Sequence, residues 1–195
     1  MPQSVIATLL LQILVVGYTP GPANVYALAM SLRHGKRSAL VMWCGLLVGF
    51  SVAAVALALL THLLGAVVGQ YLGYLKYVGA GYLLWLAYRL ARGGTAAGDA
   101  GGGECTFVSG MLVQLTNAKI LMFDLMVYFT YVLPYSNRLT SLLEAAAWLL
   151  LAGPGANLLW LLAGAFLRRF FVRYQRHVEV VSAIALVACA VYVIV

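Results

Sequence analysis

Asn24, Gln114, Asn117, Lys119 and Asp124 are the residues of this chain best placed to do chemistry, because each puts a polar or charged group into an otherwise apolar run. A charge at the centre of a bilayer costs at least about 2.5–3.5 kcal/mol, so such groups persist where they bind something or move a proton. Asn24 ends the stretch Thr19-Pro20-Gly21-Pro22-Ala23-Asn24. Pro20 and Pro22 have no backbone N–H, so the carbonyls of Val16 and Tyr18 are expected to lose their helical partners. Each proline also pushes its predecessor, Thr19 or Gly21, away from helical geometry. Carbonyls freed in hydrocarbon need protein, water or a ligand. A half-helix restarting near Ala23 and running to about Leu32 would offer unpaired first amides and a partial positive charge, which suits a carboxylate.

A second polar break, "QLTNAK" at 114–119, occupies a later apolar run. A packing kink would also explain prolines in a membrane helix. Pro-Gly-Pro beside Asn24, matched by that second break, favours a binding site instead. Its candidate residues are Thr19, Pro20, Gly21, Pro22, Asn24, Gln114, Asn117 and Lys119. Lys119 fits either a buried cation or one that snorkels to the interface. Asp124 is deeper, and five residues from Lys119 it is not an ideal helical partner for it. It is the candidate for proton uptake and release, or for meeting a substrate ammonium. In "GPGAN" at 153–157, Pro154 and Asn157 fit a kink and a cavity lining equally.

Helices that cross a membrane must position these groups. The chain is 64% hydrophobic and 9% charged, whereas soluble domains carry roughly 25% charged residues. A crossing takes about 20 apolar residues, and about six such runs are present, at 5–32, 39–63, 67–90, 107–133, 142–166 and 178–195. The expectation is an all-α integral membrane protein of one domain, 1–195, with about six transmembrane helices. The glycine-rich stretch 92–105 reads as a flexible linker between halves 1–91 and 106–195. About three spans per half make the second half enter from the opposite side, as in inverted repeats with substrate between the halves. The first and fourth helices are the broken ones.

The net charge of +7 follows orientation rather than nucleic acid. Arg33, Lys36 and Arg37, then Arg89 and Arg92, then Arg168, Arg169, Arg173 and Arg176 fall in alternate loops, against Arg138 elsewhere. Those alternate loops belong in the cytoplasm and both termini outside. "MPQS" lacks a basic leader region, so the first span is expected to be retained. Cys44, Cys105 and Cys189 form no CxxC pair and read as small packing residues. His34, His62 and His177 lie at loop ends, unsuited to a proton relay. Lys76 and the tyrosines of 71–90 read as an interfacial belt, and Gly45 with Gly49 as a helix contact. The spans hold no metal-ligand cluster and no nucleophile–base pair, so neither metal export, a cofactor nor an enzyme is expected.

The motifs "YTPGPAN", "LRHGKRSAL", "LKYVGAGYLLWLAYRL", "FVSGMLVQLTNAKILMF" and "YVLP" occur in that order over nearly the whole length. In them the chain resembles the LysE/RhtB amino-acid exporters. The stretch from "GANLLWLLAGAFLRRFF" onward is most similar to the subgroup exporting cysteine and O-acetylserine. The resemblance implies six helices, efflux of small amino acids across the bacterial inner membrane, coupling to protons, and a homodimer. Pro20, Gly21, Pro22 and Asn24 match the first-helix signature, and Asn117 and Lys119 the fourth. Ala23 stands where the family usually has an asparagine-like residue, and Ala118 where it commonly has proline, a replacement the cysteine-exporting subgroup shares. Asp124 is not part of the family pattern. As the only deep carboxylate, it favours a neutral or small polar substrate over a dibasic one. Threonine, homoserine, leucine or lysine export, or a non-transporting scaffold, are the alternatives.

Overall fold

A computed structural model describes residues 3–19, 21–68 and 104–194, with Tyr77, Ala80, Gly81, Leu84, Trp85, Ala87, Tyr88 and Arg92 between them. Among the described residues there are helices and turns but no strand. Most of the expected third span, with Lys76, and most of the linker lie outside the described residues, as does Pro20.

Helix α1 covers Gln3–Tyr18 and α2 covers Pro22–Val68, so the first span is interrupted as its prolines require. Proline suits the first helical position of α2, where its missing N–H would have had no partner. Within α2, Gly35 adopts φ 80° and ψ 161°, a conformation that an L side chain resists. It separates a limb at 22–34 from a limb at 36–68. Residues 32–38, with Arg33, Lys36 and Arg37, are all exposed around it. The turn expected between the first two spans is therefore one glycine wide.

Helix α3 is Phe107–Leu115 and α4 is Ala118–Val127, continued by a π-helical turn at Tyr128–Val132. A reciprocal cap starts α3: the Ser109 amide donates to Thr106 Oγ1 at 3.2 Å and the Thr106 amide to Ser109 Oγ at 3.1 Å. Thr116 and Asn117 interrupt the span, and the two pieces are bent by 55°. No proline is needed, because Asn117 leaves the helical region at φ −75°, ψ 88°.

Helix α5 runs from Leu139 to Ile194. The residues expected to loop between the fifth and sixth spans are themselves helical, through Arg173 and Arg176, and Ala183 and Ala190 share an apolar cluster with Leu142 and Leu149. Arg, Tyr, Gln and His all tolerate a helix, and no glycine or proline stands there to stop one. Pro22–Gly65 and Leu139–Ala163 are long and apolar enough to cross a membrane, and the bent α3–α4 pair makes a third candidate.

Close backbone contact holds α2 to α3, as the spacing of Gly45 and Gly49 predicts. A Cβ on Gly45 would lie 1.9 Å from the Phe107 carbonyl oxygen, and one on Gly110 2.1 Å from that of Met42. Phe50 fills the space beside Gly153 of α5, where a Cβ would meet its ring at 2.4 Å. Around these seams, Phe50, Val127, Tyr128 and Leu149 belong to one apolar cluster, and Tyr26, Met30, Met42 and Leu161 to another. Leu63, Trp148, Val181 and Ile184 are exposed by 63% or more, an arrangement that suits a lipid surface. Cys44 is exposed rather than packed. Cys105 is partly buried, and burial pushes its thiol up, away from the reactive thiolate.

Candidate functional site

The two breaks meet. Asn24, in the first turn of α2, reaches back across the interruption, and its Nδ2 donates to the carbonyls of Gly17 at 2.8 Å and Thr19 at 3.0 Å. Lys119, in the first turn of α4, donates from Nζ to the same Thr19 carbonyl at 3.0 Å. One carbonyl oxygen has two lone pairs, and both are engaged. Trp160 of α5 donates its indole N–H to the Tyr18 carbonyl at 3.3 Å. The Thr19 amide and hydroxyl both return to the Val15 carbonyl, finishing the last turn of α1. The freed oxygens that side chains satisfy are thus those of Gly17, Tyr18 and Thr19. Of the two expected, Tyr18 is among them, and the third residue of the group is reached because the chain turns at Thr19.

A small pocket lies at this junction, with room for about one water. Gly17, Gly21, Ala23 and Asn24 line it from the first break, Asn117, Lys119 and Ile120 from the second, and Gly153 and Asn157 from α5. A Cβ on Gly21 would stand 3.0 Å from both Cδ and Nζ of Lys119, so a larger residue there would make the lysine give way.

Two oxygens in the pocket remain without a protein partner. Asn24 and Asn117 are each 4% exposed. Oδ1 of each is buried and unbonded. For Asn117 this departs from habit. It occupies the N-cap of α4, where an asparagine oxygen ordinarily accepts from the first-turn amides, worth about 1 kcal/mol, yet its side chain makes no capping bond. Its backbone carbonyl takes the Ile120 and Leu121 amides instead, at 2.9 and 3.1 Å. The side chain is left for the pocket, together with the first-turn ends of α2 and α4.

Of the other candidates, Pro22 opens α2, and Gln114 is fully buried at the end of α3, with Gly49 packed against its Cβ and its amide unpaired. Neither lines the pocket. Asp124 lies one helical turn beyond Ile120, roughly 6 Å along the axis. It is wholly buried, and neither carboxylate oxygen has a protein partner. Tyr128, one turn further, donates its hydroxyl to the Ala54 carbonyl at 3.0 Å. Asn157 lines the pocket, whereas Pro154 sits in an unbroken helix and its carbonyl accepts the Trp43 indole at 2.9 Å. The helix is continuous through Pro154, so the third polar stretch is no break. Gly17, Ile120, Gly153 and Trp160 are site residues that the pattern of polar groups did not single out.

The sequence pattern of the LysE type translocator family matches residues 14–195. The chain is 32% identical, over the full length of both, to a cysteine/O-acetylserine efflux protein of Klebsiella pneumoniae. Proteins of the same description from Salmonella typhimurium and Escherichia coli are 32% and 30% identical over 91% of each chain. No solved structure matches. A family pattern that takes in both breaks, α5 and the pocket they form settles the assignment: the chain belongs to the LysE type translocators.

Proposed function

We propose that this protein exports a small neutral amino acid of the cysteine or O-acetylserine kind across the bacterial inner membrane, in exchange for protons. The reading is carried by the convergence of both helix breaks on one pocket whose Asn24 and Asn117 oxygens are buried and unpaired. Such oxygens accept from an ammonium, and the first-turn ends of α2 and α4 attract a carboxylate. An amino acid carries both groups. The description of the relatives supplies the side chain, and a pocket walled by Gly17, Gly21, Ala23 and Gly153 suits a short one. The pocket as it stands has room for about one water, so an amino acid would enter it only as the two breaks move apart. The two halves, related as inverted three-helix units, would open it alternately. Asp124, one turn away, would exchange the coupling proton.

Efflux from proteoliposomes preloaded with labelled cysteine, O-acetylserine, threonine, leucine or lysine tests this, with and without an imposed pH gradient. Selective release of cysteine or O-acetylserine, stimulated by the gradient and reduced at least tenfold in Asn117→Ala, is expected. Release of another amino acid would reassign the substrate. No release from folded protein would overturn the exporter reading.

A further inference from the structure

We infer that Lys119 is a resident stand-in for the substrate's ammonium, and that its displacement restricts the site to zwitterions. The inference rests on the amino-acid reading of the pocket. The Thr19 carbonyl is the acceptor that the first break leaves behind Asn24 and Lys119, which bond it and themselves line the pocket. It is already held by a cation, Lys119 Nζ, at 3.0 Å. The bare Cα of Gly21 is what allows that approach, since a Cβ there would press on Lys119 Nζ. A ligand ammonium that takes the Thr19 carbonyl must push the Lys119 ammonium aside within the same small pocket.

Two cations cannot share that space without an anion between them, because like charges repel strongly where water is excluded. An amine alone brings no anion of its own to offset this repulsion. An amino acid brings its own anion: its carboxylate gives the displaced Lys119 a new partner, at the first turn of α4 where Lys119 already stands. The exchange puts the ligand ammonium on the Thr19 carbonyl and adds a cation–carboxylate pair. Specificity for the carboxylate thus lies in Lys119, through what happens to it when the ammonium arrives. The lysine also satisfies the carbonyl while the pocket is empty, which explains how the broken helix tolerates burial without substrate.

The experiment compares binding of L-cysteine with that of cysteamine, which is cysteine without its carboxylate. Purified full-length protein is used under reducing conditions, and monodispersity is checked by size exclusion. Wild-type protein is expected to bind cysteine at least tenfold more tightly than cysteamine. In Lys119→Met cysteine weakens, cysteamine tightens, and the preference falls to about threefold or less. Gly21→Ala, which crowds Nζ without removing it, shifts the ratio the same way by a smaller factor. An unchanged cysteine-to-cysteamine ratio in both variants overturns the role of Lys119 while leaving the exporter reading standing. Failure of the wild type to bind cysteine at all, or equal binding of both compounds by it, overturns the inference, and the first result removes the cysteine reading as well.

Discussion

Asn117 shows what a single residue contributes here. A helix N-cap that declines to cap has its side chain committed elsewhere, and the buried Oδ1 faces a pocket rather than an amide. Asp124 makes a different claim, because none of the described residues bonds its carboxylate oxygens and yet it is wholly buried. If it carries the coupling proton, Asp124→Asn keeps substrate binding within about threefold but makes efflux insensitive to an imposed pH gradient. Proteoliposome efflux at matched and unmatched pH checks this, and a variant with unchanged gradient dependence removes Asp124 from the mechanism.

Among the elements, the α2–α3 seam is the firmest. Gly110 meets the Met42 carbonyl, and Gly155 has open space where a Cβ would go. Gly110→Ala is therefore expected to lower the unfolding temperature in detergent by several degrees, whereas Gly155→Ala leaves it unchanged or slightly higher, alanine being the better helix former by roughly 0.5–1 kcal/mol. Equal behaviour of the two would mean that the seam relaxes freely. The breaks in the first and fourth spans were legible from sequence, because a missing N–H or an asparagine in an apolar run has local consequences. Gly17, Gly153 and Trp160 were not. A glycine's closeness to a neighbour and an indole's choice of carbonyl are decided by other helices. The same limit left Pro154 and Asn157 open between a kink and a cavity lining: the helix passes through Pro154, while Asn157 lines the pocket.

For the molecule as a whole, contacts sort the chain ends of the helices into two groups. Phe107 and Met111 lie against Gly45 and Gly49, while Leu133 and Asn137 lie against Gly65, and the His62 Nδ1 meets the Asn137 carbonyl at 2.8 Å. α2 beyond Gly35 and the α3–α4 pair thus run in the same direction, with the basic turn at 32–38 at one end and 133–138 at the other. Alternating charge predicts that the basic end is cytoplasmic. In a cysteine-free background, Asn137→Cys in intact cells should react with a membrane-impermeant maleimide and Ser38→Cys should not. The reverse pattern would invert the orientation.

The two half-helix ends at the pocket are unequal. α2 begins with Pro22, which brings no amide hydrogen, whereas α4 begins with Ala118, which does. An amino acid in the proposed pose would therefore lie one way round, carboxylate toward α4 and ammonium toward the Thr19 carbonyl, with its side chain left to Gly153 and Asn157 of α5. Three different attachments around one tetrahedral carbon give a receptor a hand. A D-amino acid held by the same two ends would turn its side chain away from Gly153, so enantiomer choice is written into the difference between a proline and an alanine.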